Sequence, residues 1–125
     1  MAQKINHKQI QVAPAFAAPP YTAGWADYDS GTEWLGARYT KLSSGLVVMK
    51  GLARNTSGAT KAAGSIICTL PAGYRPAHRL RFISSQAGAV ASTVDVGASG
   101  GLILNVALAA GEWVSLANIT FVAEQ

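Results

Sequence analysis

The chain has 125 residues, of which 50% are hydrophobic and 13% charged, and ten Lys and Arg against six Asp and Glu give a net charge of +4. That length allows one domain with a core that needs no staples, and the low charged fraction predicts that some apolar surface meets another chain. All ten cations lie at or before Arg81, divided among an N-terminal stretch, strands and loops rather than gathered on one element, which sets nucleic acid aside.

Met1 to Pro20 has no core-forming periodicity. Ile5, Ile10 and Val12 are its large aliphatic residues, and Phe16 sits in the Ala- and Pro-rich tract that follows. The prolines favour extended backbone, so residues 1–20 are expected to form an arm that is ordered by a partner. The domain proper is then 21–125. Tyr21 to Trp34 mixes aromatics with turn formers and reads as an entry loop or short edge strand.

Short strands separated by Ser, Gly, Asn or Pro follow: Ala37 to Leu42, Gly45 to Arg54, Gly64 to Leu70, Leu80 to Gln86, Val90 to Val96, Leu102 to Ala107, and Trp113 to Val122 with a break at Ala117-Asn118. Ser43-Ser44-Gly45 and Ala98-Ser99-Gly100-Gly101 predict tight hairpin turns. Pro71, Gly73 and Pro76 end one strand and turn the chain before the next. No segment keeps a helical period for three turns. The pattern predicts an all-β, antiparallel, jelly-roll-like β-sandwich after an extended arm.

Within Gly45 to Arg54, Leu46, Val48 and Leu52 alternate with Val47, Met49 and Ala53, so both faces of the predicted strand are apolar. Leu102 to Ala107 repeats this more weakly, through Ile103. With no helix to cover the second face, a neighbouring subunit is the expected lid, with Val47, Met49 and Ile103 at the interface of a homo-oligomer.

LPAGYRPA, with GLVVMKGLARN before it and GEWVSLANITF after it, resembles the small β-sandwich head domains of bacteriophage tail-fibre and receptor-binding proteins, over roughly Tyr21 to Phe121. KINHKQIQ near the start is similar to the KINGKQI-type segments of tail-fibre chains, with His7 where Gly is usual. The resemblance implies a homotrimeric virion attachment protein assembled in the host cytoplasm. It also implies that Ile5, Ile10, Val12 and Phe16 dock on other virion proteins of the tail or capsid. A capsid decoration or head-fibre protein is the alternative.

Trp25, Tyr28, Trp34, Tyr39 and Tyr74 either stack on a host-surface saccharide or pack at an arm or subunit contact. Arg75, His78, Arg79 and Arg81 form the dense basic cluster, which either holds an acidic group or lines a solvated edge. The receptor candidates are therefore Trp25, Trp34 and Tyr74 for stacking and Arg75 and Arg79 for an acidic group, made effective by three-fold multivalency. Asp27, Asp29 and Glu33 alternate as cation ligands do, but lack the distal Glu of a calcium loop, so no metal is expected.

The lone Cys68 reads as a small core hydrophobe, and no Cys or His spacing suggests zinc. No cofactor is expected. No run approaches membrane-spanning length, and the first residues do not form a signal peptide, so neither membrane insertion nor secretion is expected. With two histidines far apart, no paired carboxylates and no nucleophile elbow, the chain is not expected to be an enzyme.

Overall fold

The computed structural model describes residues 15–29, 31 and 33–125. Ile5, Ile10 and Val12, assigned above to a docking arm, lie outside the described residues. The described chain is all-β and sandwich-like, with no helix among its ten strands: β1 (Trp25–Asp27), β2 (Arg38–Lys41), β3 (Leu46–Lys50), β4 (Leu52–Asn55), β5 (Ile66–Thr69), β6 (Leu80–Gln86), β7 (Val90–Val96), β8 (Gly101–Leu104), β9 (Trp113–Ser115) and β10 (Thr120–Val122).

They form two unequal antiparallel sheets, one of seven strands in the order β1-β4-β9-β6-β7-β8-β5 and one of three in the order β10-β3-β2. The large sheet curls towards closure. Just before β1 the chain meets the far edge strand, where Tyr21 bridges Cys68 and the Thr22 N–H donates to the Ile67 carbonyl at 3.0 Å. Side chains from both sheets fill the space between them, among them Val47, Met49, Ile67, Val94, Leu104 and Val114.

β6 and β7 form at the residues the alternation marks, and they pair along their whole length from Leu80 opposite Val96 to Gln86 opposite Val90. The two expected hairpins are present. Leu42 donates to Leu46 across the β2–β3 turn, and Gly97 donates to Gly101 across the β7–β8 turn, where Gly100 has φ +92°. The break after β9 is also present, and it carries the chain into the other sheet: Ser115 ends a strand of the large sheet and Thr120 begins one of the small sheet.

Gly45 to Arg54 is not one strand. It divides at Gly51, where φ is +90°, into β3 of the small sheet and β4 of the large sheet. This explains the burial of both Leu52 and Ala53 without a second subunit, while Leu46 and Val48, on the face of β3 opposite Val47 and Met49, are half-buried. Val47 and Met49 are 0% and 1% exposed within the chain's own core, while the turn at Gly51 lets both Leu52 and Ala53 be buried beyond it. The expected interface role of Val47 and Met49 is therefore corrected: these are core residues. Ile103 is half-buried on β8, opposite Asp95 and Ile66.

The last residues of the expected arm lie on the domain. Ala17 exchanges two backbone hydrogen bonds with Tyr39 at 2.9 Å, the Ala15 carbonyl accepts from the Thr40 hydroxyl at 2.6 Å, and the Pro20 carbonyl accepts from Thr69 N–H at 3.3 Å.

Candidate functional site

Where β3 passes into β4 the backbone runs against the chain entering β2. Gly36 bridges Leu52, and the Leu52 N–H donates to the Leu35 carbonyl at 3.0 Å. This approach leaves no room for side chains: a Cβ on Gly51 would overlap the Gly36 carbonyl, and one on Gly36 would overlap the Asp27 carboxyl group. The two glycines make the floor of an open cleft of about 480 Å³ between the sheets.

Its walls come from five separate places in the chain. β1 supplies Asp27, β2 supplies Arg38, the end of β3 supplies Lys50, the loop between β1 and β2 supplies Asp29, Glu33 and Leu35, and Phe16 arrives from the N-terminal side. Lys50 lays its ammonium over the Phe16 ring, 4.1 Å from the centroid, in a cation–π contact. Leu35 and the adjacent Trp34 are both large and exposed, Trp34 at 50%.

Asp27 organises the site electrostatically. Arg38 grips both its carboxylate oxygens at 3.0 Å, and the Tyr21 hydroxyl donates to one of them at 2.7 Å. The Arg38 guanidinium holds the Asp27 carboxyl below the usual carboxylate range, against the opposing effect of burial. Burial and the neighbouring carboxylate both push the Tyr21 phenol upward, so it remains a donor. With both oxygens occupied, Asp27 is poorly placed to ligate a cation, and no group of three or more potential ligands forms among the described residues.

The five receptor candidates do not meet. Trp25 is 5% exposed, buried in the core beneath Lys61, so a stacking role for it is corrected: its ring faces the chain's own interior. Tyr74 packs edge-on against Tyr39 at 5.3 Å, with the Lys41 ammonium 4.9 Å from its ring centre. Arg75 donates from Nε to the Leu70 carbonyl at 2.9 Å, and its backbone pairs with Gln125, so it braces the Pro-rich corner. Arg79 donates to Asp95 at 2.7 Å. Trp34 is exposed and stands in sequence between Glu33 and Leu35, which line the cleft, but does not itself line it. Tyr28 packs against Trp113, 6.4 Å between ring centres.

A second charged site stands on the outer face of the large sheet. Asp95 on β7 receives Arg79 and Arg81, and its Oδ1 also accepts from Asn105 at 2.8 Å. The Arg81 hydrogen bond leads in holding its pKa down at about 2, against burial, and Arg79 and Asn105 add to the effect. Two of the four residues of the basic cluster seen in the sequence, Arg79 and Arg81, are thus answered by the chain's own carboxylate.

The cleft residues Phe16, Leu35, Arg38 and Lys50 were not legible as a site. Phe16 reads as part of an arm, and the other three sit in strands or loops with no motif. Only the acidic alternation of Asp27, Asp29 and Glu33 marked the place.

No protein-family model matches the chain, and no curated protein sequence does. Among solved structures, the crystal structure of the receptor binding protein (gp15) of Listeria phage PSA is similar. The TM-score is 0.70 at 16% sequence identity, over 99% of this chain and 73% of that one. At that identity the likeness shows a shared fold.

Proposed function

We propose that the chain is a bacteriophage attachment protein, a β-sandwich head carried on the virion that binds the surface of the host bacterium. The observation that carries this reading is the fold, shared over nearly the whole chain with a phage protein whose role is receptor binding. The cleft supports it, since it combines charged side chains with an exposed Leu and the Phe16 ring above a floor of bare backbone, as a surface saccharide requires.

In this reading the chain carries out no reaction, works as a homotrimer and is held by other proteins of the tail. Three-fold repetition turns a weak contact at each head into useful adhesion. Capsid decoration has no comparable support from the fold. The test is immunogold imaging of intact virions with antibody to this chain. Label at the tail tip is expected, and label spread over the capsid would overturn the reading.

A further inference from the structure

We propose that the outer face of the small sheet is the seat of the chain's own N-terminal segment, with Val12 and Ile10 packed over β3 and β10. The sequence resemblance implies instead that these residues dock on other virion proteins. The inference stands apart from the attachment reading, which virion imaging decides separately.

The face is apolar and part-open. Val47, Met49 and Phe121 turn into the core, so their neighbours along the strands, Leu46 and Val48 on β3 and Thr120 and Val122 on β10, turn outward. Register sets Val122 opposite Leu46 and Thr120 opposite Val48. Val122 is 54% exposed, and Leu46 and Val48 are half-buried. The charged residues of this face, Arg38 and Lys50, stand opposite one another at its far end, where Asp27 and the Phe16 ring engage them.

Where the described chain begins, it is already mounting this face. Ala17 pairs with Tyr39, whose ring packs on the core, so Phe16 falls opposite Thr40 on the outer side. The Thr40 hydroxyl, on that same side, donates to the Ala15 carbonyl at 2.6 Å. By Ala15 the backbone has therefore left the edge of β2 and lies over the face, and Thr40 beneath it is only 6% exposed. Neighbouring strands stand about 4.8 Å apart, which puts β3 and β10 roughly 5 and 10 Å from β2. The three residues from Ala15 back to Val12 span up to about 10 Å and the five to Ile10 up to about 17 Å, enough to reach Val48 and Val122. Gln9, Ile10, Gln11 and Val12 alternate polar and apolar, so a segment laid on the face turns its glutamines to water.

Trypsin cleavage after Lys8, two residues from Ile10, tests this on the unmodified full chain. It should be on the order of tenfold slower than in a free peptide of residues 1–14, the value of one aliphatic side chain withdrawn from water, and the ratio should hold on dilution. Val122→Asp puts a charge on the face at an exposed position and should restore the peptide's rate with the melting temperature unchanged. Cleavage of the wild-type chain at the peptide's rate would overturn the proposal, as would protection that survives Val122→Asp. Protection that disappears on dilution would give the face to a second copy, and overturn it equally.

A disulfide trap reads the contact directly. With Val12→Cys and Val48→Cys in one full chain, mild oxidation should join the two within that chain, seen by intact mass as a monomer lighter by two hydrogens; Cys68 is fully buried and does not compete. Joining between chains, or no joining, would overturn the proposal. Wild-type cleavage decides should either variant not fold.

Discussion

Asp27 and Asp95 are each held by arginine, but their surroundings differ. Around Asp95 two guanidiniums and an Asn amide close over one carboxylate, whose side chain is only 3% exposed. Around Asp27 one guanidinium and one phenol suffice, and the residues beyond them open into a cleft with further carboxylates. The first brings two arginines close in sequence, Arg79 just before β6 and Arg81 on it, to a carboxylate on β7, and is satisfied in space. The second is dispersed from Phe16 to Gly51 and remains open to a ligand. Proximity in sequence and availability to a ligand are thus separate properties.

Breaking the floor of the cleft should have the largest effect. Gly51→Ala places a Cβ against the Gly36 carbonyl at a φ of +90°, and should lower stability by about 3 kcal/mol, read as a drop in melting temperature on the order of 10 °C. If the variant melts like wild type, the close approach of the two chain segments is wrong.

Removing the closed cluster comes next. Asp95→Ala leaves Arg79, Arg81 and Asn105 without their common acceptor and should cost roughly 1–3 kcal/mol in denaturant unfolding, with saccharide binding unchanged. Loss of binding without loss of stability would mean that the outer face, not the cleft, meets the ligand.

The same carboxylate sets an acid limit. Its folded pKa of about 2 lies below its ordinary value of 3.8, so its contribution is fully present above pH 4 and is lost as pH falls towards 2. Asp27, also depressed, loses its contribution in the same direction. Unfolding free energies measured from pH 5 down to pH 2 should fall across this window, and Asp95→Asn should flatten the fall; an unchanged slope would show that Asp95 is not the titrating group. The smallest effect belongs to Arg79→Ala, since that side chain is 56% exposed and Arg81 still holds Asp95. Its cost should stay within about 0.5 kcal/mol, and a larger loss would give Arg79 a structural weight the exposed geometry does not provide.

The strands and turns that local pattern decides were legible. β6 and β7 show a period of two between turn residues, and the β2–β3 and β7–β8 turns carry Gly where the backbone needs it. The division at Gly51 was not legible, because its cause is Gly36, brought there by the packing of the two sheets. Without that contact, Val47 and Met49 look like a surplus apolar face in need of a second subunit. The site failed to show for a similar reason. A Trp that packs inward, as Trp25 does, and one that faces solvent, as Trp34 does, have the same local signature, and nothing beside Arg79 in the chain announces Asp95 across the β6–β7 pair.

The few residues from Ala17 to Thr22 have a consequence for keeping such chains apart. Ala17 hydrogen-bonds to β2, an outer strand of the small sheet, and Pro20 and Thr22 hydrogen-bond to β5, an outer strand of the large one. Unpaired strand edges are templates on which other chains add and aggregate. One short segment therefore shields an edge of both sheets, and a chain trimmed after Pro20, where composition alone places the end of the arm, would bare the Tyr39 backbone and the Thr69 N–H to any passing strand.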